Sequence, residues 1–119
     1  MLAAHNRQKA AQAGMQLIYA GSYQESALER HEEAMPEEVR QWVQSNALHA
    51  FTGSMSIQGN RYYLVSRGEK PTGGYGLRLD DIITSQEEEL IQVTEIDPTE
   101  SDPVTQALTY PILLLKKEL

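Results

Sequence analysis

The residues of this sequence whose types and spacing come closest to a chemical motif lie in Arg67–Leu79, which reads RGEKPTGGYGLRL. Gly68 and Gly73 have the spacing of the two glycines in a Walker phosphate-binding loop. A Gly-Tyr pair follows where that motif requires Lys and Ser or Thr, and the next residues alternate like a strand instead of opening a helix. Pro71 also removes one of the backbone amides that such a loop uses to bind phosphate. The stretch therefore does not predict a nucleotide site.

The other ionisable residues form no metal-binding or catalytic pattern. His5, His31 and His49 lack the spacing of metal ligands, and there is no cysteine to supply a thiolate. The acidic pair Asp80-Asp81 does not match an EF-hand loop, and neither a G-x-S-x-G nor an H-E-x-x-H motif occurs. We therefore predict no catalytic residues, no metal, no cofactor and no enzymatic activity.

Length and composition limit the classes of protein that fit. The 119 residues suit one domain, and 40% hydrophobic residues are enough for a single modest core. A net charge of -7, with dispersed basic residues, disfavours binding to nucleic acid. No apolar run approaches the roughly 20 residues of a membrane helix, so no membrane insertion is expected. Residues 1–14 are predicted to be a polar, flexible lead-in, and residues 15–119 to form one α+β domain.

Periodicity predicts one strand and one helix in the first half of that domain. Alternate residues from Met15 onward, in MQLIYAGSY, predict a strand that ends at a Gly-Ser turn. An amphipathic helix is predicted downstream, from apolar residues that recur at helical spacing. These residues are Met35, Val39, Trp42 and Val43. A proline and two glutamates at the start suit the first turn of a helix.

Alternating and continuous apolar patterns predict strands in the second half. FTGSMSI and RYYLVSR form a predicted hairpin, and YGLRLDDII and LIQVTEI form a second one. Three glutamates fall at the tip of the second hairpin, where we expect them to be solvated. The unbroken run Ile112–Leu115 predicts an interior strand covered on both faces, with Pro111 at its beginning. The predicted fold class is α+β, a mostly antiparallel sheet of about five or six strands with one packed amphipathic helix.

Two roles remain open for the turn at Pro71–Tyr75. Adjacent Gly73 and Gly74 permit positive φ or a close backbone approach, and the proline restrains the turn, so the pattern can serve folding. The same stiff turn can serve recognition, because a restrained loop loses little entropy when it binds. Tyr75 and Tyr110 stand at predicted loop–strand junctions, where each ring either covers the core or acts as a binding anchor.

The segments GEKPTGGYGLRLDDI, IQVTEIDP and PVTQALTYPILLLK, in this order, resemble the C-terminal domain of the protease complex subunit PrcB family. That family has a G-x-x-x-T/S-G-G-Y turn that enters a strand, and a final T-Y-P segment that enters an apolar strand. The residues that match the two motifs are Gly68, Thr72, Gly73, Gly74, Tyr75, Thr109, Tyr110 and Pro111. The resemblance covers roughly Ser54–Lys117, about half of the chain.

This resemblance implies a non-catalytic role outside the cytoplasm. The family consists of bacterial proteins that are mostly exported or lipid-anchored, and its namesake supports a secreted protease as an accessory subunit. We therefore expect a periplasmic or cell-envelope protein, here without its targeting segment, that binds a protein partner. The partner-binding residues implied are Lys70, Pro71, Thr72, Gly73, Gly74 and Tyr75, with Tyr110 and Pro111 as neighbours.

Lys70–Tyr75 is also similar to the N-P-T-T-G-Y loop of the chagasin-like cysteine-protease inhibitors, with Lys70 in place of Asn and Gly73 in place of the second Thr. That resemblance implies an alternative function, inhibition of a protease by insertion of the same loop into its cleft. The R-P-W loop of those inhibitors has no clear counterpart, unless Tyr110-Pro111 takes its place. Both functions use one loop, and neither needs catalytic chemistry.

Overall fold

The computed structural model describes residues 2–29, 35–86 and 88–119. Within these ranges the chain forms three helices and six strands. In chain order they are α1 (Leu2–Gln12), β1 (Gln16–Ser22), α2 (Glu25–Glu29), α3 (Glu37–Asn46), β2 (Ala50–Ile57), β3 (Asn60–Arg67), β4 (Gly76–Ser85), β5 (Glu88–Ile96) and β6 (Pro111–Glu118). The strands pair antiparallel in two sheets, so the predicted α+β class is confirmed.

Four of the strands form a central sheet in the order β1-β6-β3-β2, which places β6 in its interior. Leu114 of β6 lies opposite Leu64 of β3 on one side and opposite Tyr19 of β1 on the other. The residues from Pro111 through Leu115 are all buried, because chain segments cover both faces of the sheet. The predicted interior strand is confirmed, and Pro111 is its first residue.

The two faces of the central sheet carry separate hydrophobic clusters. In β3, Tyr62 and Leu64 point into a cluster completed by α2 and α3. Tyr63 and Val65 point the other way, into a cluster completed by α1 and by the β4–β5 hairpin. Strict alternation of this kind follows from the two-residue period of a strand. The molecule therefore has three layers, with the central sheet between α2 and α3 on one side and α1 with the hairpin on the other.

Helix α3 is the predicted amphipathic helix, and its apolar stripe lies on one face of the central sheet. Val39 and Val43 are fully buried there, and Met35 is buried just before the helix begins. Trp42 is half-buried and packs edge-to-face against Phe51 of β2, with ring centroids 6.0 Å apart. Residues 30–34, and with them the histidine at position 31, lie outside the described residues.

Helix α1 lies where the sequence predicts a flexible lead-in over residues 1–14, and the structure differs from that prediction. The Asn6 amide donates to the Leu77 carbonyl at 3.0 Å and accepts from the Leu79 amide at 2.8 Å. His5 Nε2 lies 2.9 Å from the Leu79 carbonyl oxygen. The helix is thus fixed to the edge of β4 by polar side chains. Because it has no wide apolar stripe, its sequence carries little of the periodicity that announces a packed helix.

The β4–β5 hairpin forms the second sheet and packs over β3 and β6. Glu89, one of the glutamates expected to be solvated at its tip, is instead buried, with 1% of its side chain exposed. It accepts hydrogen bonds from Lys117 and Thr84. These hydrogen bonds lower the pKa of the Glu89 carboxyl. The expectation fails because the strand alternation turns this glutamate inward, beside a lysine that neutralises it.

Candidate partner-binding corner

Two loops meet at one end of the molecule, residues 68–75 between β3 and β4 and residues 97–110 between β5 and β6. We call this pair of loops the corner. The Lys70 amide donates to the Thr109 carbonyl at 2.8 Å, and the Thr109 amide donates back to the Lys70 carbonyl at 3.0 Å. The Gly73 amide donates to the Thr105 carbonyl at 3.0 Å. Backbone hydrogen bonds therefore hold the first loop against the second at two points.

Thr72 adds side-chain hydrogen bonds within the corner. The Thr109 hydroxyl donates to the Thr72 carbonyl at 2.7 Å, and the Thr72 hydroxyl donates to the Gly73 carbonyl at 2.9 Å. Only the first of these bonds joins the two loops, so Pro71–Gly73 is attached to the second loop through Thr72 and Gly73, although it belongs to neither sheet. Such a loop enters binding with much of its conformational entropy already lost.

Contacts with the second loop explain why the first loop has glycine at positions 73 and 74. Gly74 has φ +89°, and a Cβ on it would lie 2.8 Å from Val104 Cγ1 and 2.9 Å from Pro98 Cβ. A Cβ on Gly73 would lie 2.6 Å from the Thr105 hydroxyl oxygen. Only glycine allows this backbone to approach the 98–105 segment so closely. Both glycines therefore serve the folding role left open by the sequence, and their contribution to a contact surface is indirect.

Tyr75 lies half-buried where the first loop enters β4. The Arg67 guanidinium carbon is 5.5 Å from the centroid of its ring, and Lys70 Nζ is 5.9 Å from the same centroid. Both distances are in the range in which a cation is attracted to an aromatic face. The half-buried ring is therefore held in place by two cations.

Arg67 is the residue on which the two sheets converge, and the sequence analysis missed it. Its side chain is 4% exposed. One terminal nitrogen donates to the carbonyls of Gly76 at 3.3 Å and Ile96 at 3.0 Å. The other donates to the carboxylates of Glu95 at 3.1 Å and Asp97 at 2.8 Å. An arginine that ends a strand with a four-residue apolar run, with acidic residues at the end of a later strand, was the available signal.

The part of the corner that faces solvent combines apolar and cationic side chains. Pro71 is exposed, and Leu108, which directly precedes Thr109 of the Lys70–Thr109 bridge, is 56% exposed. Lys70 and Tyr75 are half-buried beside them. We call Lys70, Pro71, Tyr75 and Leu108 the corner surface. Leu108 lies outside both sequence motifs, and only the pairing of the two loops brings it there.

Tyr110 and Pro111, the two predicted neighbours of the contact loop, differ in position. The Tyr110 hydroxyl donates to the Glu69 carboxylate at 3.0 Å, and this hydrogen bond raises the pKa of the Tyr110 phenol. Its ring is half-buried at the border of the corner surface. Pro111 is completely buried as the first residue of β6, so it is corrected from a contact residue to a core residue. Pro111 is buried because β6 lies inside the central sheet, and the T-Y-P motif does not contain that information.

In the ranges that the structure describes, no group of three or more histidine or acidic side chains is placed to hold a metal ion. Across the same ranges, no helix is both long enough and apolar enough to span a membrane. What the corner presents is a rigid backbone, an aromatic ring, two exposed apolar side chains and a lysine; of these residue types, tyrosine is enriched at protein–protein interfaces.

Comparisons with known proteins give one result for this chain. Neither a search of curated proteins nor a search of solved structures found a match. A family model described as PrcB C-terminal matches residues 61–117. This range begins in β3, includes the β4–β5 hairpin and both loops of the corner, and ends in β6. Residues 61–117 therefore carry the PrcB C-terminal family pattern, as the sequence resemblance predicted.

Proposed function

We propose that this chain is a non-catalytic protein-interaction subunit of an extracytoplasmic, protease-associated complex, and that it binds its partner through the corner surface. The PrcB C-terminal match supports the association with a protease complex. The observation that carries the choice of surface is the exposure of Pro71 and Leu108 on loops that are hydrogen-bonded to each other. The extracytoplasmic location rests on the family resemblance.

A surface of this kind is suited to binding because its cost of ordering is small. Immobilising a flexible loop or side chain on binding opposes affinity by about 0.5–1.5 kcal/mol for each long side chain. Here the Lys70–Thr109 bridge already fixes the backbone, and Arg67 and Lys70 already hold the Tyr75 ring. Tyrosine is also among the residues that dominate binding energy at interfaces. The partner then gains apolar contact with Pro71 and Leu108 at little entropic cost.

Protease inhibition by the same loop is the second candidate. An inhibitory wedge has to project into a cleft, whereas Gly73 and Gly74 lie against Thr105, Pro98 and Val104. This contact favours a broad docking surface over an inserted loop. Inhibition predicts that micromolar protein slows a papain-like protease, and a flat titration across several such enzymes removes this candidate.

Site-specific photo-cross-linking tests the proposed function. A photoreactive benzoylphenylalanine replaces Pro71 or Leu108 in the native host, and a matched variant carries it at Leu119, which is 64% exposed but lies beside the β2–β3 turn. We expect the two corner positions to give the same cross-linked protein, a secreted protease or a subunit bound to one, and position 119 to give none. The same products from all three positions, or products unrelated to any protease, would contradict the proposal.

A further inference from the structure

We propose that the free edge of β5 is a second binding site, which takes an extended, basic segment of a partner protein as an added strand. This site is distinct from the corner surface. It lies along β5 toward the hairpin tip at Glu88, whereas the corner lies beside the other end of that strand, at Ile96. Over the intervening residues a strand extends by roughly 3.3 Å per residue, which separates the tip from the corner by more than 20 Å.

The described part of the chain covers one edge of the β4–β5 hairpin and leaves the other edge uncovered. On the β4 edge, Asn6 bonds the Leu77 carbonyl and the Leu79 amide, and His5 reaches the Leu79 carbonyl. Helix α1 thus supplies the hydrogen bonds that a neighbouring strand would have made. On the other edge, β5 pairs with no strand but β4 among the described residues. An uncovered edge presents unpaired amides and carbonyls that can pair with another chain.

A groove with a volume of about 540 Å³ runs beside this edge, between β5 and β2. The hairpin covers Tyr63 and Val65 of β3 and stops short of β2. Three residues of β2 on the same face remain exposed, since they lie opposite Val65, Tyr63 and Arg61 in the register. These residues are Thr52, Ser54 and Ser56. The floor of the groove is therefore a row of small hydroxyl side chains, which leaves room for a strand above it.

The Tyr63 hydroxyl is an independent indication that the groove is made for a ligand. Tyr63 lines the groove and is 5% exposed, and its hydroxyl is buried with no hydrogen-bond partner among the described residues. A buried polar group without a partner destabilises a protein by about 1–3 kcal/mol, so such groups are uncommon. A strand laid in the groove brings carbonyl oxygens within reach of this hydroxyl, and the unmet hydrogen bond is then made on binding.

The charged residues around the groove indicate which charge the bound segment should carry. β5 contains three glutamates and no cation, and β2 contains no charged residue. Glu89 is paired with Lys117, and Glu95 shares Arg67 with Asp97, whereas Glu88 is exposed at the tip. This distribution favours a segment with lysine or arginine.

One cation, Arg61, also lines the groove. Its Nε donates to the Ser56 hydroxyl at 3.0 Å, at the β2 wall. The acidic side chains of the groove lie on the opposite wall, at Glu88 and Glu89 of β5.

A second copy of this chain is a poorer occupant. Each copy carries a net charge of -7, so two copies repel each other.

A titration with synthetic peptides, followed by amide chemical shifts of the labelled protein, tests this site. The probe is an end-blocked peptide of about seven residues in which lysine alternates with valine, long enough for one typical strand. One control peptide has glutamate in place of lysine. Another has N-methyl groups on alternate amides, which removes backbone donors and leaves the side chains unchanged. Two protein variants, Glu88→Lys and Tyr63→Phe, test the groove itself, and Glu100→Lys gives a matched charge change at an exposed position far along the chain.

We expect the basic peptide to shift the amides of residues 88–94 in a saturable way, and neither control peptide to do so. Tyr63→Phe should weaken binding by about three- to tenfold without loss of thermal stability, because it deletes a hydrogen bond that only the bound peptide completes. Glu88→Lys should weaken it by a similar factor, and Glu100→Lys should leave it unchanged.

Three results would overturn the proposal. The first is no binding, or equal binding of the basic, acidic and N-methylated peptides. The second is a set of shifts confined to residues 68–75, which would move the site to the corner. The third is sedimentation of the free protein as a dimer that Glu88→Lys alters, which would make a second copy the occupant. Tyr75→Ala, which alters only the corner surface, should leave peptide binding intact, so failure here is distinguishable from failure of the proposed function.

Discussion

A terminal nitrogen of Arg67 donates a 2.8 Å hydrogen bond to the carboxylate of Asp97, and this contact joins the end of β3 to the start of the second corner loop. The arginine is buried and the aspartate is 63% exposed, so the pair reaches from the core to the surface. The same guanidinium supports the Tyr75 ring. The position of the corner surface therefore depends on a charge held inside the molecule.

Replacement of Arg67 by methionine should destabilise the protein more than a surface arginine replacement does. The change leaves the carbonyls of Gly76 and Ile96 without their donor, and each buried group left unsatisfied costs about 1–3 kcal/mol. Arg78→Met is the matched control, because Arg78 is about half exposed and pairs with Asp80 at the surface, where such pairs contribute about 0–1 kcal/mol. Urea unfolding measures both. Equal losses would show that the buried guanidinium has no special role.

Substitution of Gly74 by alanine should cost more than the same substitution at Gly59, although both glycines have positive φ. A methyl group on Gly59 meets no atom within 4 Å, so only the backbone strain of about 1–2 kcal/mol applies. At Gly74 the methyl group also collides with Pro98 and Val104, and overpacking adds typically about 1–3 kcal/mol. Denaturant midpoints of the two variants give the comparison. If the two losses are the same, the second loop does not pack on the first as described.

The pH dependence of stability should include a contribution from Glu89. Hydrogen bonds from Lys117 and Thr84 lower the pKa of its carboxyl in the folded state, so the folded protein binds this proton less readily than the unfolded chain does. Its stabilising contribution is therefore present above the unfolded pKa, about 4.3 for glutamate, and is lost as the pH falls through the lower folded value.

Glu89→Gln should flatten the decline in the free energy of unfolding below about pH 4.3, relative to the wild-type chain. Glu88→Gln is the control at the exposed neighbouring position, and it should leave the acid dependence as it is. Thermal unfolding across a series of buffers measures this. An unchanged pH profile in Glu89→Gln would mean that the buried ion pair with Lys117 is absent in solution.

Loss of the Asn6 side chain should release helix α1 from the hairpin. Asn6→Ala removes two hydrogen bonds to β4, and we expect faster hydrogen exchange at the Leu79 amide, which donates to Asn6. The free energy of unfolding should fall by about 1–3 kcal/mol, since buried groups lose their partner. Gln8→Ala, on an exposed position of the same helix, should change neither quantity. Normal exchange at Leu79 in Asn6→Ala would contradict the described edge contact.

The strands and helices that could be predicted from the sequence are those whose buried apolar residues follow a regular pattern along the chain. The run Ile112–Leu115 is apolar at every position because both faces of β6 are covered, and α3 shows a helical stripe because only one of its faces is. Helix α1 has no such stripe, since hydrogen bonds from Asn6 and His5 attach it to β4 and Ala10 is its one buried apolar residue. Periodicity measures apolar burial, and it is silent about an element that is anchored by hydrogen bonds.

The candidate site was predictable as a turn but not as a surface. Pro71 and the paired glycines mark a turn by their own backbone preferences. That Gly74 lies against Val104, and that Leu108 lies next to a bridge with Lys70, depends on contacts between residues 30 or more positions apart. Arg67 was missed for the same reason, because its acidic partners lie in and after β5. Contacts between distant parts of the chain determine which turn residues face solvent. A short sequence motif does not show these contacts.

The most direct test of the corner surface measures how tightly the purified cross-linked partner binds to Leu108→Ser and to Leu119→Ser. Both leucines are more than half exposed, so neither change should alter thermal stability. Calorimetric titration should show that Leu108→Ser raises the dissociation constant by about fivefold or more, the effect of losing at least 1 kcal/mol at an interface, while Leu119→Ser matches the wild type. Tyr75→Ala should weaken binding further. A dissociation constant that stays at the wild-type value in both Leu108→Ser and Tyr75→Ala would contradict the account.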